Sequence, residues 1–348
     1  MLKESLASVI ASVLLLDGPL TEREKEINTL EIEIRQNLDA VPFVSPFNAS
    51  FVANNGRKFF YSVGDITTST PIESASTSKW VTATVILLSI QNNVLSLSDH
   101  PQQYIDFWPT TGELSEITLQ QLMSFTSGLN NSPDCLNFGF SRFENCIETI
   151  LEENQNTSLT PGSKFYYGSS HMQVAGLMTI NALGLNSWQE VFEQFTLDTS
   201  LFLNSSYSLP SSQNPRLAGG MKWTTNDYLE FLKQLYKKEL LNDVQLEQQR
   251  FDHIANSSII NSPALSTIMQ DWRYGLGVWL ECNSSVYNCN SVTRISSPGT
   301  YGAYPFIDYE HQYYGMIARQ GGPSTFDEGY AIWQSVRTQL ERWAALNE

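Results

Sequence analysis

Ser76 and Lys79 are the residues whose types and spacing most clearly suggest chemistry. They lie in the stretch SASTSKWVTATVILL, where small polar residues give way to an apolar run of helical character. Three positions apart on a helix, the two side chains share one face. A lysine amine beside a hydroxyl can act as its base when burial lowers the pKa of the amine toward neutrality. The chain has 9 Lys and many serines, so about one such pair is expected by chance, and only this one occurs. The rest of the chain must decide whether this pair is catalytic or a chance occurrence.

The segments before Ser76 predict a helix and a hairpin. Thr21 and Glu24 form a capping-box signature, and apolar residues then recur at helical spacing as far as Leu38. An Asn55-Gly56 turn between two β-prone runs predicts a hairpin over 49–64. A polar loop then leads to Ser76.

The segments after Ser76 predict a helical stretch followed by strands. Predicted helices cover 77–90, 118–125, 141–152, 170–182, 187–195 and 226–237, with capping-box signatures at Ser141/Glu144 and Ser187/Glu190. Strands are predicted over 274–282, 292–297, 301–308 and 312–320. Thr325 with Glu328 predicts the start of a last helix.

This order predicts an α/β (α+β) fold, an antiparallel sheet flanked by helices with an inserted all-α lobe. Residues 21–75 and 270–348 would form the α/β lobe, 76–269 the mainly helical lobe, and 1–20 an N-terminal apolar segment. We expect the active cleft between the lobes.

Composition narrows the function. With 41% hydrophobic and 16% charged residues the chain is typical of a globular protein. The net charge of -16 argues against a nucleic-acid partner. The sequence also contains no basic amphipathic helix of the kind that binds a membrane surface. We expect no stable membrane insertion and a small-molecule or peptide-like substrate.

The N-terminus and the cysteines bear on the compartment. The apolar run 6–16 has the length of a signal-peptide core, although Glu4 and the lack of an A-x-A cleavage site favour an ordinary packing helix. Cys135 with Cys146, and Cys282 with Cys289, favour two short disulfide loops and a secreted or periplasmic protein, four buried thiols being the alternative.

Four further segments occur in the order found in one superfamily. They read ITLQQLMSFTSGL (117–129), PGSKFYYGSSHMQVAG (161–176), AGGMKWTTNDYLEFL (218–232) and YGLGVW (274–279). Together with Ser76-x-x-Lys79, the chain resembles the serine β-lactamase and penicillin-binding-protein superfamily. It looks most like the branch of class C β-lactamases, D-alanyl-D-alanine carboxypeptidases, esterases and D-amino-acid amidases.

The resemblance implies roles for the matching positions. Ser76 would be the acylated nucleophile, Lys79 its base, and Tyr167 the proton shuttle to the leaving group. A phenol becomes a usable base only when a neighbouring cation stabilises its anion, and the motif would make Lys79 that cation.

The third family motif, K-T-G or H-x-G, corresponds to Ser297-Pro298-Gly299. Gly299 would let substrate approach the backbone, and the N–H groups of Ser76 and Thr300 would form the oxyanion hole.

The sequence departs from the family pattern at three positions. Phe125 replaces a usual His, Ser169 replaces the Asn of Y-x-N, and Ser297 replaces a basic residue or imidazole. The last two changes remove groups that would bind the amide and the carboxylate of a substrate. They therefore favour an ester or an uncharged amide as the substrate. Arg273, Arg294 and Arg319 are candidates to restore a positive charge.

The sequence thus predicts a serine hydrolase that works through an acyl-enzyme without metal or cofactor. There is no G-x-S-x-G elbow and no H-E-x-x-H motif, and a lone His171 is more often structural than catalytic. The alternatives are a true β-lactamase or D-Ala-D-Ala carboxypeptidase, and an inactive binding or assembly protein with the same fold.

Overall fold

Helices and short strands alternate along the chain. The computed structural model describes residues 20–43, 45–73, 75–155, 160–282 and 292–348. Within them the helices are α1 (Glu22–Asp39), α2 (Ser78–Gln91), α3 (Leu119–Met123), α4 (Phe143–Asn154), α5 (Ser170–Ala182), α6 (Trp188–Thr199), α7 (Thr225–Tyr236), α8 (Asp243–Arg250), α9 (Pro263–Ile268) and α10 (Phe326–Ala345). The strands are β1 (Phe47–Ala53), β2 (Lys58–Val63), β3 (Ile72–Glu73), β4 (Lys164–Tyr166), β5 (Ser206–Tyr207), β6 (Met221–Trp223), β7 (Ser258–Asn261), β8 (Arg273–Tyr274), β9 (Trp279–Glu281), β10 (Arg294–Ser296), β11 (Tyr304–Asp308) and β12 (Tyr313–Arg319).

A seven-stranded antiparallel sheet runs in the order β2-β1-β12-β11-β10-β9-β8. The N-terminal hairpin therefore pairs with the last strand of the chain. Every residue of β1, β11 and β12 is buried, as expected for a sheet covered on both faces. Helices α7 and α10 both pack on β11 and β12, and α1 packs on α10. This confirms the α/β (α+β) prediction of an antiparallel sheet flanked by helices.

Helix α2 lies in the interior and carries the predicted nucleophile at its start. Of its residues only Leu88, Ile90 and Gln91 are not buried, which is the pattern of a helix enclosed on all sides. It packs on α5, and α5 in turn contacts α3, α4 and α6. Ser76 sits in a 3₁₀ turn, Ala75–Thr77, directly before α2.

Most of the predicted local signals hold. Thr21 and Ser187 accept hydrogen bonds from the backbone N–H three residues on and cap α1 and α6. The Asn55-Gly56 turn joins β1 and β2. The prediction at Ser141 is wrong, because α4 starts at Phe143 without a side-chain cap. Thr325 precedes α10, but its hydroxyl binds the carbonyl of residue 322 and does not cap the helix.

The predicted strand 274–282 is interrupted. The N–H of Gly275 bonds the carbonyl of Val278, which makes a turn between β8 and β9. Gly277 has φ +75°, and a Cβ there would lie 2.3 Å from the Cβ of Ala83 and 2.9 Å from the carbonyl oxygen of Lys79. Only glycine lets this turn press against α2, which brings β9 close to Ser76. The sequence also left α8 and α9 unpredicted.

The remaining predictions have mixed outcomes. The disulfide Cys135–Cys146 is present, with Cα atoms 5.4 Å apart. The pairing of Cys282 with Cys289 lies outside the described residues, as does the apolar run 6–16. The buried apolar side chains form one continuous cluster, and the division into two lobes stays a prediction. In the described part of the chain no helix combines the length and hydropathy needed to cross a bilayer.

Candidate active site

The turn that carries Ser76 is held by side chains from three directions. Ser78 donates to the carbonyl of residue 75 at 2.7 Å, and Tyr228 of α7 donates to the carbonyl of residue 77 at 2.9 Å. Ser297, just after β10, donates to the carbonyl of Ser76 itself at 3.0 Å. Residue 75 has φ +52°, a left-handed conformation that is strained for alanine. These bonds fix the strained turn and with it the direction of the Ser76 hydroxyl.

Lys79 contacts Ser76 as the spacing predicts. Its Nζ lies 2.8 Å from Ser76 Oγ and donates to the carbonyl of Ala218 at 2.9 Å. Lys79 is only 3% exposed. Burial lowers the pKa of Lys79 well below its usual value, and the charge of Arg216 lowers it further. An amine in this state can accept the proton of the serine.

Tyr167 forms a hydrogen bond with the side chain of Ser76. Asn261 at the end of β7 anchors its backbone, with its carbonyl accepting from Tyr167 N–H at 3.0 Å and its amide donating back at 2.8 Å. The phenol ring stacks on Trp279 of β9, with centroids 5.1 Å apart. Lys79 Nζ lies 4.5 Å from the centre of the Tyr167 ring.

The electrostatics favour a neutral phenol at Tyr167. Burial raises its pKa to about 12, against the opposing effect of hydrogen bonds with the side chains of Ser76 and Trp279. The Lys79 amine faces the ring and has a lowered pKa, so its charge does little to stabilise a phenolate. The arrangement suits Tyr167 as a proton donor and Lys79 as the base.

In and next to the third motif, Ser297, Gly299 and Thr300 make different contacts. Ser297 is 2% exposed, and its hydroxyl is committed to Ser76. Gly299 closes a turn by donating to the carbonyl of Ala303 at 2.8 Å. Thr300 faces the cavity, and its carbonyl and hydroxyl accept from the N–H groups of Thr325 and Ser324.

Two backbone N–H groups remain for an oxyanion. Within the described residues neither the N–H of Ser76 nor that of Thr300 donates to a protein acceptor. Both residues line the same cavity. Such a pair of N–H groups is the usual form of an oxyanion hole.

Ser169 stands at the start of α5 and does not cap it through its side chain. It is not among the residues that line the cavity. The structure thus brings Ser76, Lys79, Tyr167 and Thr300 together, and places Ser169, Ser297 and Gly299 around them.

The cavity beside Ser76 has a volume of about 380 Å³. Its described lining consists of apolar, aromatic and hydroxyl side chains without a charge: Ser76, Tyr167, Pro263, Ser266, Thr267, Trp279, Pro298, Thr300, Ser324 and Phe326. Helix α9 and the start of α10 thus contribute walls that the sequence did not assign to the site. Trp279 belongs to the segment YGLGVW, but nothing in its local pattern indicated that it would contact Tyr167.

The three arginines considered as replacement charges have other partners. Arg294 is 2% exposed and binds Glu281 at 2.8 Å and Asp308 at 3.2 Å. Arg319 is paired with Glu328, and Arg273 with Asp271 at 3.3 Å.

His171 is a structural residue. Its Nδ1 lies 2.8 Å from the hydroxyl of Ser127 and its Nε2 lies 3.0 Å from the carbonyl of Tyr166. The ring stacks on Phe125, the residue that replaces the usual His, with centroids 5.1 Å apart. Burial lowers the pKa of His171 to about 3, so it is neutral at physiological pH.

One set of side chains in the described residues has the spacing of metal ligands: Asp308, His311 and Glu341. Their carboxylates already bind Arg294 and Arg337. None of the three lines the cavity at Ser76. The cluster therefore forms part of an ion-pair network.

Comparisons with known proteins bear on the family and the fold. A family model, Beta-lactamase, matches residues 49–337. An inferred β-lactamase from Bacteroides dorei DSM 17855 is 26% identical, with 90% of this chain and 98% of that chain covered and a TM-score of 0.75. A search of the curated proteins returned no significant match.

Two more distant structures share the fold alone. D-amino acid amidase from Ochrobactrum anthropi SV3, complexed with L-phenylalanine amide, is 13% identical, with 92% and 98% of the two chains covered and a TM-score of 0.68. A mutant of simvastatin synthase from Aspergillus terreus is 13% identical, with 94% and 99% covered and a TM-score of 0.65. The family match runs from β1 into α10 and includes the turn of Ser76 and the loop of Tyr167, so the chain belongs to the β-lactamase family.

Proposed function

We propose that the protein is a serine hydrolase that cleaves an ester or amide through an acyl-enzyme on Ser76. The observation that carries the proposal is the 2.8 Å contact between Ser76 Oγ and Lys79 Nζ, made by a lysine whose pKa burial lowers. A nucleophile within reach of a base is the arrangement that covalent catalysis needs.

In the acylation step Ser76 Oγ bonds to the substrate carbonyl carbon while Lys79 takes the hydroxyl proton. The N–H groups of Ser76 and Thr300 bind the resulting oxyanion. As the tetrahedral intermediate collapses, the bond to the leaving group breaks, and Tyr167 donates its phenol proton to that group. Lys79 then returns a proton to Tyr167, so both side chains recover their neutral forms.

Deacylation repeats this sequence with water. Lys79 takes a proton from a water molecule that attacks the acyl carbonyl, and Ser76 Oγ leaves and regains a proton. The product is a carboxylic acid, and the enzyme needs no cofactor for either step. The uncharged lining of the cavity favours an uncharged, partly apolar group in it.

The family match and the inferred β-lactamase from Bacteroides dorei support a β-lactam or D-Ala-D-Ala substrate as the second candidate. Against it stands the lack of a charged side chain in the described lining, because those substrates carry a carboxylate. Turnover of nitrocefin, or a stable adduct with a labelled penicillin, would favour this candidate.

The test is acylation of the intact protein by a 4-nitrophenyl ester. We expect a burst of nitrophenol equal to the enzyme concentration and a mass increase on Ser76. Ser76→Ala should lose both, whereas Ser212→Ala, at an exposed serine, should keep them. If no activated ester or fluorophosphonate acylates the protein, the inactive binding protein is the better description.

We further propose a secreted or periplasmic location. The disulfide Cys135–Cys146 supports it, because such bonds persist in oxidising compartments. Fractionation of the native host, with blotting for the protein, would test this.

A further inference from the structure

We propose that the cavity beside Ser76 binds an aromatic ring carried by the leaving group of the substrate, and that Phe326 determines this preference. The inference rests on the proposed acyl-enzyme reaction and names the class of alcohol or amine that the reaction releases. The substrates are esters or amides in which an aromatic ring lies a few bonds beyond the scissile oxygen or nitrogen.

Aromatic side chains form a connected cluster along the cavity. Trp279 stacks on Tyr167, with ring centroids 5.1 Å apart and an angle of 24° between the planes. Trp272 lies 6.2 Å from Trp279 and meets Phe326 edge-on at 6.3 Å. Tyr167, Trp279 and Phe326 line the cavity, and Trp272 is buried between the last two. Because ring pairs at such distances attract each other beyond the effect of burial, a ring bound in the cavity would extend this cluster.

The cavity has the room and the polarity that an aromatic ring requires. An apolar cavity of about 150 Å³ is enough to bind benzene. The cavity at Ser76, with about 380 Å³, therefore holds a ring together with the ester or amide linkage. Pro263 and Pro298 add apolar walls, and no side chain of the described lining carries a charge. A charged substituent on the ring would have no counter-ion there, so the ring is uncharged.

The contacts of Tyr167 assign the ring to the leaving group. In the proposed reaction Tyr167 gives its proton to the leaving group, and it lines the cavity. Its backbone exchanges two hydrogen bonds with Asn261, of 3.0 and 2.8 Å. Two residues further on, Pro263 begins α9 and lines the same cavity. Helix α9 also packs on α10, whose first residue is Phe326. The atom that Tyr167 protonates thus lies beside the wall formed by α9, and a ring attached to it extends toward Phe326.

The experiment compares esters whose alcohols have similar acidity. Ethyl acetate is the reference, 2-phenylethyl acetate adds a ring to the alcohol, and 2-cyclohexylethyl acetate is its saturated analogue. Ethyl 3-phenylpropanoate carries the ring on the acyl part instead. A pH indicator measures the acid released from each. For the wild-type protein we expect kcat/KM for 2-phenylethyl acetate to be about tenfold above that for ethyl acetate, and above those for the other two esters.

Variants at the cavity wall test the role of Phe326. Phe326→Ala should reduce the advantage of 2-phenylethyl acetate over ethyl acetate to about twofold, chiefly by raising KM. Phe140→Ala, at an exposed phenylalanine outside the cavity lining, should keep the full advantage. If Phe326→Ala does not fold, Thr267→Asp replaces it in the test. Thr267 is an exposed residue of the lining, and a carboxylate there should also reduce the advantage.

The outcomes separate this inference from the proposed function. Acylation of Ser76 by 4-nitrophenyl acetate tests the hydrolase alone. A protein that is acylated but hydrolyses 2-phenylethyl acetate no faster than ethyl acetate overturns the aromatic subsite without any variant. Equal rates for the saturated ester overturn the preference for an aromatic ring, and a faster reaction of ethyl 3-phenylpropanoate overturns its place on the leaving group. Equal losses for all esters in Phe326→Ala overturn the role of Phe326.

Discussion

At the scale of single residues, the sequence could predict the contact between Ser76 and Lys79 because the two residues are local. Ser76 and Lys79 lie one helical turn apart, so their contact depends only on the helix between them. Trp279 reaches the site through the tertiary fold and stacks on Tyr167, and no local pattern shows where such a side chain points. Of the two roles predicted for Lys79, the base for Ser76 and the cation beside Tyr167, its burial favours the first. Its depth below the surface favours a neutral amine, and the same burial keeps Tyr167 a phenol.

The state of Lys79 predicts how activity depends on pH. Because Lys79 must be neutral to accept a proton, the acylation rate should rise as pH rises through its lowered pKa and level off well below pH 10.5. Tyr167, with a pKa of about 12, should stay protonated over this range. Lys79→Ala should lower kcat by about 10²–10⁴-fold, and Lys25→Ala, an exposed lysine, should leave it unchanged. Stopped-flow burst rates from pH 5 to 10 measure this, and a midpoint at the pKa of a free lysine would contradict it.

At the scale of elements, long stretches with clear periodicity were predicted and short elements were not. Helices α8 and α9 are short. The turn between β8 and β9 lies within an aromatic run whose sequence pattern predicts one continuous strand. That turn exists because Gly277 packs against α2, a contact between segments almost 200 residues apart in sequence. Elements of this kind are set by tertiary packing, which overrides local propensity.

Ser297 provides a test of how β10 positions the nucleophile. Its hydroxyl holds the carbonyl of Ser76 across 221 positions of sequence and does not line the cavity. Ser297→Ala should lower the acylation rate about tenfold with KM little changed, and lower the free energy of unfolding by about 1 kcal/mol. Tyr228→Phe removes the equivalent bond to the carbonyl of residue 77 in the same turn and should also lower the acylation rate with KM little changed. A large rise in KM for Ser297→Ala would instead place Ser297 in contact with substrate.

At the scale of the whole molecule, the order of elements was enough to predict the fold class. A hairpin near one end and strands near the other must meet in one sheet, and β1 does pair with β12. The buried charges could not be predicted in the same way. Arg294 was considered as a substrate cation, yet it links β9, β10 and β11 from inside the sheet by binding Glu281 and Asp308. Which charges are buried depends on packing over the full chain.

This network should govern the stability of the sheet that supports the site. Arg294→Met leaves two carboxylates, Glu281 and Asp308, buried without their cation, and should lower the free energy of unfolding by about 3–5 kcal/mol. Arg342→Met removes an exposed ion pair with Glu26 and should cost about 0–1 kcal/mol. Urea denaturation followed by circular dichroism compares the two variants. Similar small losses for both would mean that the buried carboxylates take up protons or water at little cost, and that packing alone holds β9, β10 and β11 together.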